Sequence, residues 1–277
     1  AAVGVLAQGF GVVGSDVAGG NGVHVHAFAR PLIGQGFHYR ANGAFAGRVA
    51  GHVDAAASRA YYAAFQAAVA ALFTGKLSYC IGIRHGWKPL GKIHTITESR
   101  ANVIGKIDGK KASYLYEDYF AKNLLELKEE IRHINILYPI GIYLEGENEY
   151  LLRNVISLND DGSIITQGDV PEGSAIRLMI GTKESCLEAA RQAASQVKIS
   201  LRDKKIGLAI VMSSVSRARL LGRNMDAELN VIKEILGEDV PIAGFYSYGE
   251  YAPLGSTSYY GQTYLHNQTI AILGMGE

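Results

Sequence analysis

The segment Asn159-Asp160-Asp161-Gly162 stands between two short apolar runs, 151–158 and 163–167, and it constrains the fold more than any other stretch. Asp-Gly supplies the positive φ that a tight hairpin turn needs, so the two runs must pair antiparallel. Further strand-length runs are read at 77–83, 92–97, 102–107, 136–144, 175–180, 207–212, 242–248 and 262–273. Gly86-Trp87-Lys88-Pro89 breaks the first from the second, and Asp108-Gly109 closes the third. Three segments carry helical rather than strand periodicity. Over 112–133, Leu115, Tyr119, Leu124, Leu127, Ile131 and Ile134 trace one face, with Lys122, Glu126, Lys128, Glu129 and Glu130 on the other. Over 183–197 the inward set is Cys186, Ala190, Ala193 and Val197; over 216–236 it is Met225, Leu229, Ile232 and Leu236, with Gly237 as the stop. The expectation is an α+β fold of mixed, largely antiparallel sheets flanked by helices.

Composition bounds the function. The 277 residues are 48% hydrophobic and 19% charged, which places the chain among folding globular proteins. Lys and Arg number 27 against 26 Asp and Glu, so no broad field attracts nucleic acid or an acidic membrane surface. The two cysteines, Cys80 and Cys186, form neither a CxxC nor a Cys/His cluster. With no basic leader before Val3-Gly4-Val5-Leu6 and no apolar run near ~20 residues, the chain reads as cytoplasmic. Before residue 75 there is no Lys and no Glu, and Ala, Gly and Val dominate. In that portion Asp54 is positioned to cap a helix over 54–72, with Phe65, Val69 and Leu72 at helical spacing.

Several motifs carry chemistry and each has a plainer reading. Gly9, Gly11 and Gly14 spell GxGxxG, but a Gly-rich stretch follows where a helix should open, and no acid stands about twenty positions on. His24 and His26 alternate along one strand face, a geometry open to a metal, yet no carboxylate or thiol nearby completes a set. Tyr246-Ser247-Tyr248-Gly249-Glu250-Tyr251 ends an apolar run with hydroxyls and an acid, which suits a small-molecule pocket as well as a Tyr-rich turn. His85 and Trp87 lie in a loop at a strand end, either lining a site or, for Trp87, covering the core edge. His266-Asn267-Gln268-Thr269 interrupts the last apolar run and requires partners if buried. Ser213, Ser214 and Cys80 have no nucleophile-elbow surroundings, so nothing points to catalysis.

Taken together, Arg153-Asn154-Val155, Asp160-Asp161-Gly162-Ser163-Ile164, Val170-Pro171-Glu172-Gly173-Ser174, Pro241 through Glu250, and His266-Asn267-Gln268-Thr269 resemble the C-terminal domain of the FIST (F-box and intracellular signal transduction) family. His85-Gly86-Trp87-Lys88-Pro89-Leu90-Gly91 and Asn102-Val103-Ile104 are similar to the end of its N-terminal domain, and the Gly/Ser-rich turn at 14–20 to an early family turn. The resemblance implies two intimately packed subdomains, 1–120 and 121–277, and a ligand-binding input module without catalytic activity. An amino-acid-like metabolite is the implied ligand, and a separate histidine kinase or other signalling protein the implied partner. Some relatives bind haem, for which His85, His94 or His266 could serve as axial ligand. Many relatives also carry a Cys in the stretch that here reads Met212-Ser213-Ser214-Val215-Ser216-Arg217, which removes thiol chemistry at that position. The expected pocket at the strand ends is lined by His85, Trp87, Arg217, Tyr246, Tyr248, Glu250 and Asn267. In it Arg217 holds a ligand carboxylate and Glu250 meets an amino group. The rival readings are a haem-based gas sensor, an NAD(P)-dependent oxidoreductase using Gly9, Gly11 and Gly14, and a pure interaction protein.

Overall fold

The computed structural model describes residues 24–31, 67–74, 76–144, 149–254 and 263–277. The chain divides into two compact units, Ala1–Leu77 and Ser78–Glu277. In the first, β1 (His24–Pro31) and β2 (Ala67–Thr74) form an antiparallel pair in which His24 faces Thr74 and His26 faces Leu72. The helix expected over 54–72 is therefore overturned from Ala67 onward. Ala prefers helix over Val or Phe by only a few tenths of a kcal/mol per residue, and eight residues of continuous pairing outweigh that. Residues 54–66 and the glycines at 9, 11 and 14 lie outside the described residues.

The second unit begins with β3 (Ser78–Arg84), β4 (Lys88–Arg100), β5 (Val103–Ile107) and the short β6 (Lys110–Lys111), followed by α1 (Tyr114–Phe120) and α2 (Leu124–Leu137). The single helix expected over 112–133 is thus two. Ala121 adopts a left-handed conformation at φ 50°, and Asn123 restarts the helix through a capping box. Its Oδ1 accepts from Glu126 N–H at 3.1 Å, while Glu126 accepts from Asn123 N–H at 2.9 Å. Next come β7 (Ile140–Ile142), β8 (Leu151–Arg153), β9 (Val155–Leu158), β10 (Ile164–Thr166) and β11 (Ala175–Ile180). The β9–β10 hairpin turns at Gly162, φ 85°, as its Asp-Gly spelling requires.

These strands form one eight-stranded sheet, ordered β8-β7-β11-β4-β5-β10-β9 with β6 added to β5, antiparallel throughout. It mixes strands from both sides of residue 120. Its buried face, including Ile96, Ile104, Ile140, Ile164 and Leu178, packs on Tyr116 of α1 and on Leu127 and Ile131 of α2. Tyr116 is wholly buried, and its hydroxyl donates to Tyr138 O at 2.8 Å.

The remaining elements are α3 (Lys183–Ser200), β12 (Ile206–Ser214), α4 (Val215–Leu221), α5 (Asp226–Leu236), β13 (Ile242–Ser247), β14 (Glu250–Ala252), β15 (Tyr264–His266) and β16 (Ile270–Gly276). The helix expected over 216–236 is interrupted by a 3-10 turn at Gly222–Asn224, where Gly222 takes φ 62°. A four-stranded sheet runs β13-β12-β16-β3, with β12 and β13 parallel and the other pairs antiparallel. The Ala-rich face of α3 approaches this sheet closely: a Cβ at Gly82 would stand 2.1 Å from Ala193 O, and one at Gly274 2.2 Å from Val197 Cγ1. The fold is α+β, with mixed and mainly antiparallel sheets flanked by helices. Among the described residues no helix is long and apolar enough to cross a membrane.

Candidate functional site

Strand direction gathers polar residues at one end of the four-stranded sheet. The parallel strands β12 and β13 both finish there, at Ser214 and Ser247, which are register partners. The antiparallel β16 starts there, with Ile270 opposite Ser213, and β3 ends there, with Arg84 opposite Ile270. The carboxyl ends of parallel strands are where open sheets commonly receive ligands. Here they carry a dense set of buried polar side chains: His85, Ser213, Ser214, Arg217, Ser247, Glu250, and the quartet His266 to Thr269.

Arg217 is fully buried in α4 and is engaged on all sides. Its Nε and Nη2 donate to Glu228 Oε1 at 2.9 and 2.6 Å, Nη1 donates to His85 O at 2.6 Å, and Nη2 also reaches Cys186 O at 2.7 Å. Glu228 Oε2 accepts from Ser213 Oγ at 2.7 Å. The guanidinium expected to hold a ligand carboxylate is thus occupied by a carboxylate of the protein. Burial pushes the nearby Cys186 thiol up to about 11, which leaves it protonated and inert at neutral pH.

Glu250, only 3% exposed, accepts from Ser247 Oγ at 2.7 Å and from Thr269 Oγ1 at 2.6 Å. Burial lifts its carboxyl to about 7, against the opposing pull of those hydrogen bonds and of Arg217. His266 donates from Nε2 to Ala252 O at 3.0 Å and is held near 4, mainly by burial. His85 accepts the Trp87 N–H on Nδ1 at 2.9 Å, so Nε2 carries its proton; that atom lies 3.5 Å from Glu149 Oε2 without hydrogen-bond geometry. Burial first, then the positive ends of His266, Arg217 and Arg84, hold His85 down near 3. Of the three histidines considered for axial ligation, His85 and His266 therefore sit in protein hydrogen bonds, and His94 is paired through Nδ1 with Asp108 at 2.7 Å on the other sheet.

Asn267, fully buried, accepts Asn154 N–H on Oδ1 at 3.0 Å and donates to His266 O at 3.0 Å. Gln268 takes the left-handed φ of 61° and donates to Asn135 O at 3.0 Å. The quartet thus leads from β15 into β16 and ties the four-stranded sheet to the eight-stranded one. Trp87 is 2% exposed, with Nε1 donating to Ile136 O at 3.0 Å and the ring packed on Leu152 and Met179. Its indole lies on bare backbone, since a Cβ at Gly181 would meet Nε1 at 2.3 Å. Of the two readings open for Trp87, the structure takes the one that covers the core.

Beside this row lies a polar cavity of about 170 Å³, lined by Asn135, Asn154, Gln167, Ser214, Ser216, Arg219 and Tyr248 among others. Tyr248 is 57% exposed at its rim, and its carbonyl accepts from Gln167 Nε2. The Oδ1 atoms of Asn135 and Asn154 are buried without a hydrogen-bond partner. Arg219 has no carboxylate within ion-pair distance among the described residues. Of the residues expected at the site, only Tyr248 lines this cavity. His85, Arg217, Glu250 and Asn267 form the buried network behind it, and Tyr246, part-exposed on β13, has its hydroxyl raised by burial and by the charges of Glu228 and Asp226. Sequence reasoning missed Glu228, Asn154 and Arg219. Glu228 lies eleven positions from Arg217, well beyond the three or four positions at which side chains on one helix meet.

A family model described as the FIST C domain matches residues 112–253, just over half of the chain, and one described as the FIST N domain matches 41–110. The chain belongs to the FIST family. No curated protein and no solved structure matches it. FIST domains are associated with signal transduction and small-ligand sensing, and the matched C-terminal segment of this FIST protein contains Arg153, Asn154, Arg217, Glu228, Tyr248 and Glu250. The join between the two matches, at 110–112, falls at β6, just before α1, whereas the compact units divide at Leu77 and Ser78. Among the described residues no cluster of three or more His, Cys, Asp or Glu could hold a metal ion.

Proposed function

We propose that this FIST protein is a sensor that binds a small amino-acid-like metabolite in the cavity beside the strand-end row and reports its presence to a separate signalling protein, such as a histidine kinase. The observation that carries the reading is the pairing, around one small polar cavity, of a cation that has no carboxylate partner among the described residues with residues whose buried acceptors lack partners. Arg219, rather than Arg217, is the residue available to a ligand carboxylate, and a guanidinium can meet it through two parallel hydrogen bonds. Asn135 and Asn154 line the same cavity, and a turn of either side chain would bring its unpartnered amide oxygen to a ligand amino group. A buried acceptor without a donor costs about 1–3 kcal/mol, which a ligand N–H would recover. A volume of about 170 Å³ is below the ~300 Å³ at which drug-sized pockets begin, which favours a small metabolite.

The connection to the rest of the site supports sensing rather than storage. Asn154 hydrogen-bonds Asn267 through its backbone, and Ser214 both lines the cavity and caps α4, the helix that carries Arg217. Occupancy therefore bears directly on the buried row.

A thermal-shift and Trp87-fluorescence screen of free amino acids and their close relatives tests the proposal. A binder at ~100 times its dissociation constant should add roughly 2.7 kcal/mol of stability, and Arg219→Gln should weaken that binder at least tenfold. A screen in which no such compound stabilises the protein, or an Arg219→Gln variant with undiminished affinity, overturns it. An absorbance spectrum of the purified protein with a haem band would turn the assignment to the gas-sensor alternative, and an NAD(P)H fluorescence change on mixing would turn it to the oxidoreductase.

A further inference from the structure

We infer that a second cavity, bounded by β4, β5, β6, β11 and α1, is a binding site for a small acid with an apolar body, such as an aryl or branched-chain monocarboxylate. This cavity measures about 330 Å³ and shares no lining residue with the first. Leu90, Ile107, Leu115 and Leu178 make it apolar, and the rings of Tyr114 and Tyr119, 40% and 45% exposed, stand beside them. Such walls favour a flat or branched hydrocarbon portion.

The charge sign follows from which lining groups are already committed. Asp108 is spent on both oxygens: Oδ1 accepts Thr95 N–H at 2.8 Å and Oδ2 pairs with His94 Nδ1 at 2.7 Å. That leaves Asp118 as the lining carboxylate without such a partner among the described residues. Against it stand Lys92, Lys110 and Lys111, none of which has a carboxylate within ion-pair distance among the described residues. Lys111 leans its stem along Gly162, so Lys92 and Lys110 are the ammonium groups offered to a ligand. An uncharged ligand would leave both amines as they are, and a cationic one would meet them as like charges. An anion with an apolar tail satisfies both halves of the lining.

The position gives occupancy a structural consequence. Lys110 is the last residue of the FIST N match, and Tyr114, Leu115 and Leu178 belong to the FIST C match, so a ligand here would bridge the two matched segments. The site is independent of the amino-acid-like reading of the first cavity.

Isothermal titration with 3-phenylpropanoate, its neutral amide 3-phenylpropanamide serving as the isosteric control, tests the inference. The acid should bind and the amide bind at least tenfold more weakly. A Lys92→Gln/Lys110→Gln variant should lose at least tenfold for the acid, about 1.4 kcal/mol, with an unchanged thermal midpoint, while Arg219→Gln keeps full affinity. Raising the salt from low to near-molar should weaken the acid alone. Equal binding of acid and amide, retention of affinity by the double glutamine variant, a loss caused by Arg219→Gln, or no heat with either compound each overturns the assignment.

Discussion

Replacing Glu228 with Gln keeps the side chain's shape and removes its charge, so it isolates what the buried ion pair does for the strand-end row. The carboxylate receives two bonds from Arg217 and one from Ser213, and the two side chains are 4% and 0% exposed. At the 2.6 Å separation of Nη2 and Oε1, and an effective dielectric near 20, the attraction is about 6 kcal/mol. Much of this only offsets the desolvation of the two ions, so the pair's net worth is small, but removing one partner leaves the other buried and uncompensated at a cost of about 3–5 kcal/mol. In a compact unit of this size each kcal/mol moves the thermal midpoint by about 2–4 °C, so Glu228→Gln should unfold about 10 °C earlier. Urea denaturation should show the matching loss with an unchanged slope. A loss below about 1 kcal/mol would refute the reasoning, because it would mean that water reaches the pair.

Two further outcomes follow from the same geometry. Glu250 holds its proton up to about pH 7 in the folded protein, above the ordinary 4.5, so the native state binds the extra proton and stability from this group is lost as pH rises between those values. The stability of Glu250→Gln relative to the wild type should therefore improve by about 3 kcal/mol from pH 4.5 to 7; a difference independent of pH in urea titrations would sink the idea. Gly82→Ala should cost about 3 kcal/mol and weaken the docking of α3, because the new methyl meets the backbone carbonyl of Ala193 rather than a side chain that can swing away; hydrogen exchange in α3 at wild-type rates would contradict this.

The two cavities assign different work to different parts of the molecule. The strand-end row is a dense hydrogen-bonded network that includes Arg217, Glu228, Glu250 and the quartet at 266–269, and it supports a small polar cavity at its margin. Such a network is held by many charge-assisted and buried hydrogen bonds, so a ligand that completes the unpartnered amides of Asn135 and Asn154 acts on an already ordered frame.

What the sequence determined by itself was local. The Asp-Gly turn dictated a hairpin, and Gly162 takes the positive φ it needs. The apolar stripe of α3 announced its buried face, where Cys186, Ala190, Ala193 and Val197 are all inward. The polar quartet at 266–269 required partners, and each of its four side chains has at least one, Gln268 through its Nε2. These features depend on residues within one turn or one strand of each other, where spacing and φ preference act directly. Only the tertiary structure decided where the helix over 112–133 breaks, since Ala121 enters the left-handed region with no glycine to forecast it. It alone turned Ala67–Thr74 into a strand, by supplying a partner for it in His24–Pro31. It also decided the meaning of Arg217 and Trp87. A sequence records that an arginine and a tryptophan are present; whether a ligand or Glu228 satisfies the one, and whether solvent or Met179 meets the other, is fixed by which strands and helices come to lie side by side.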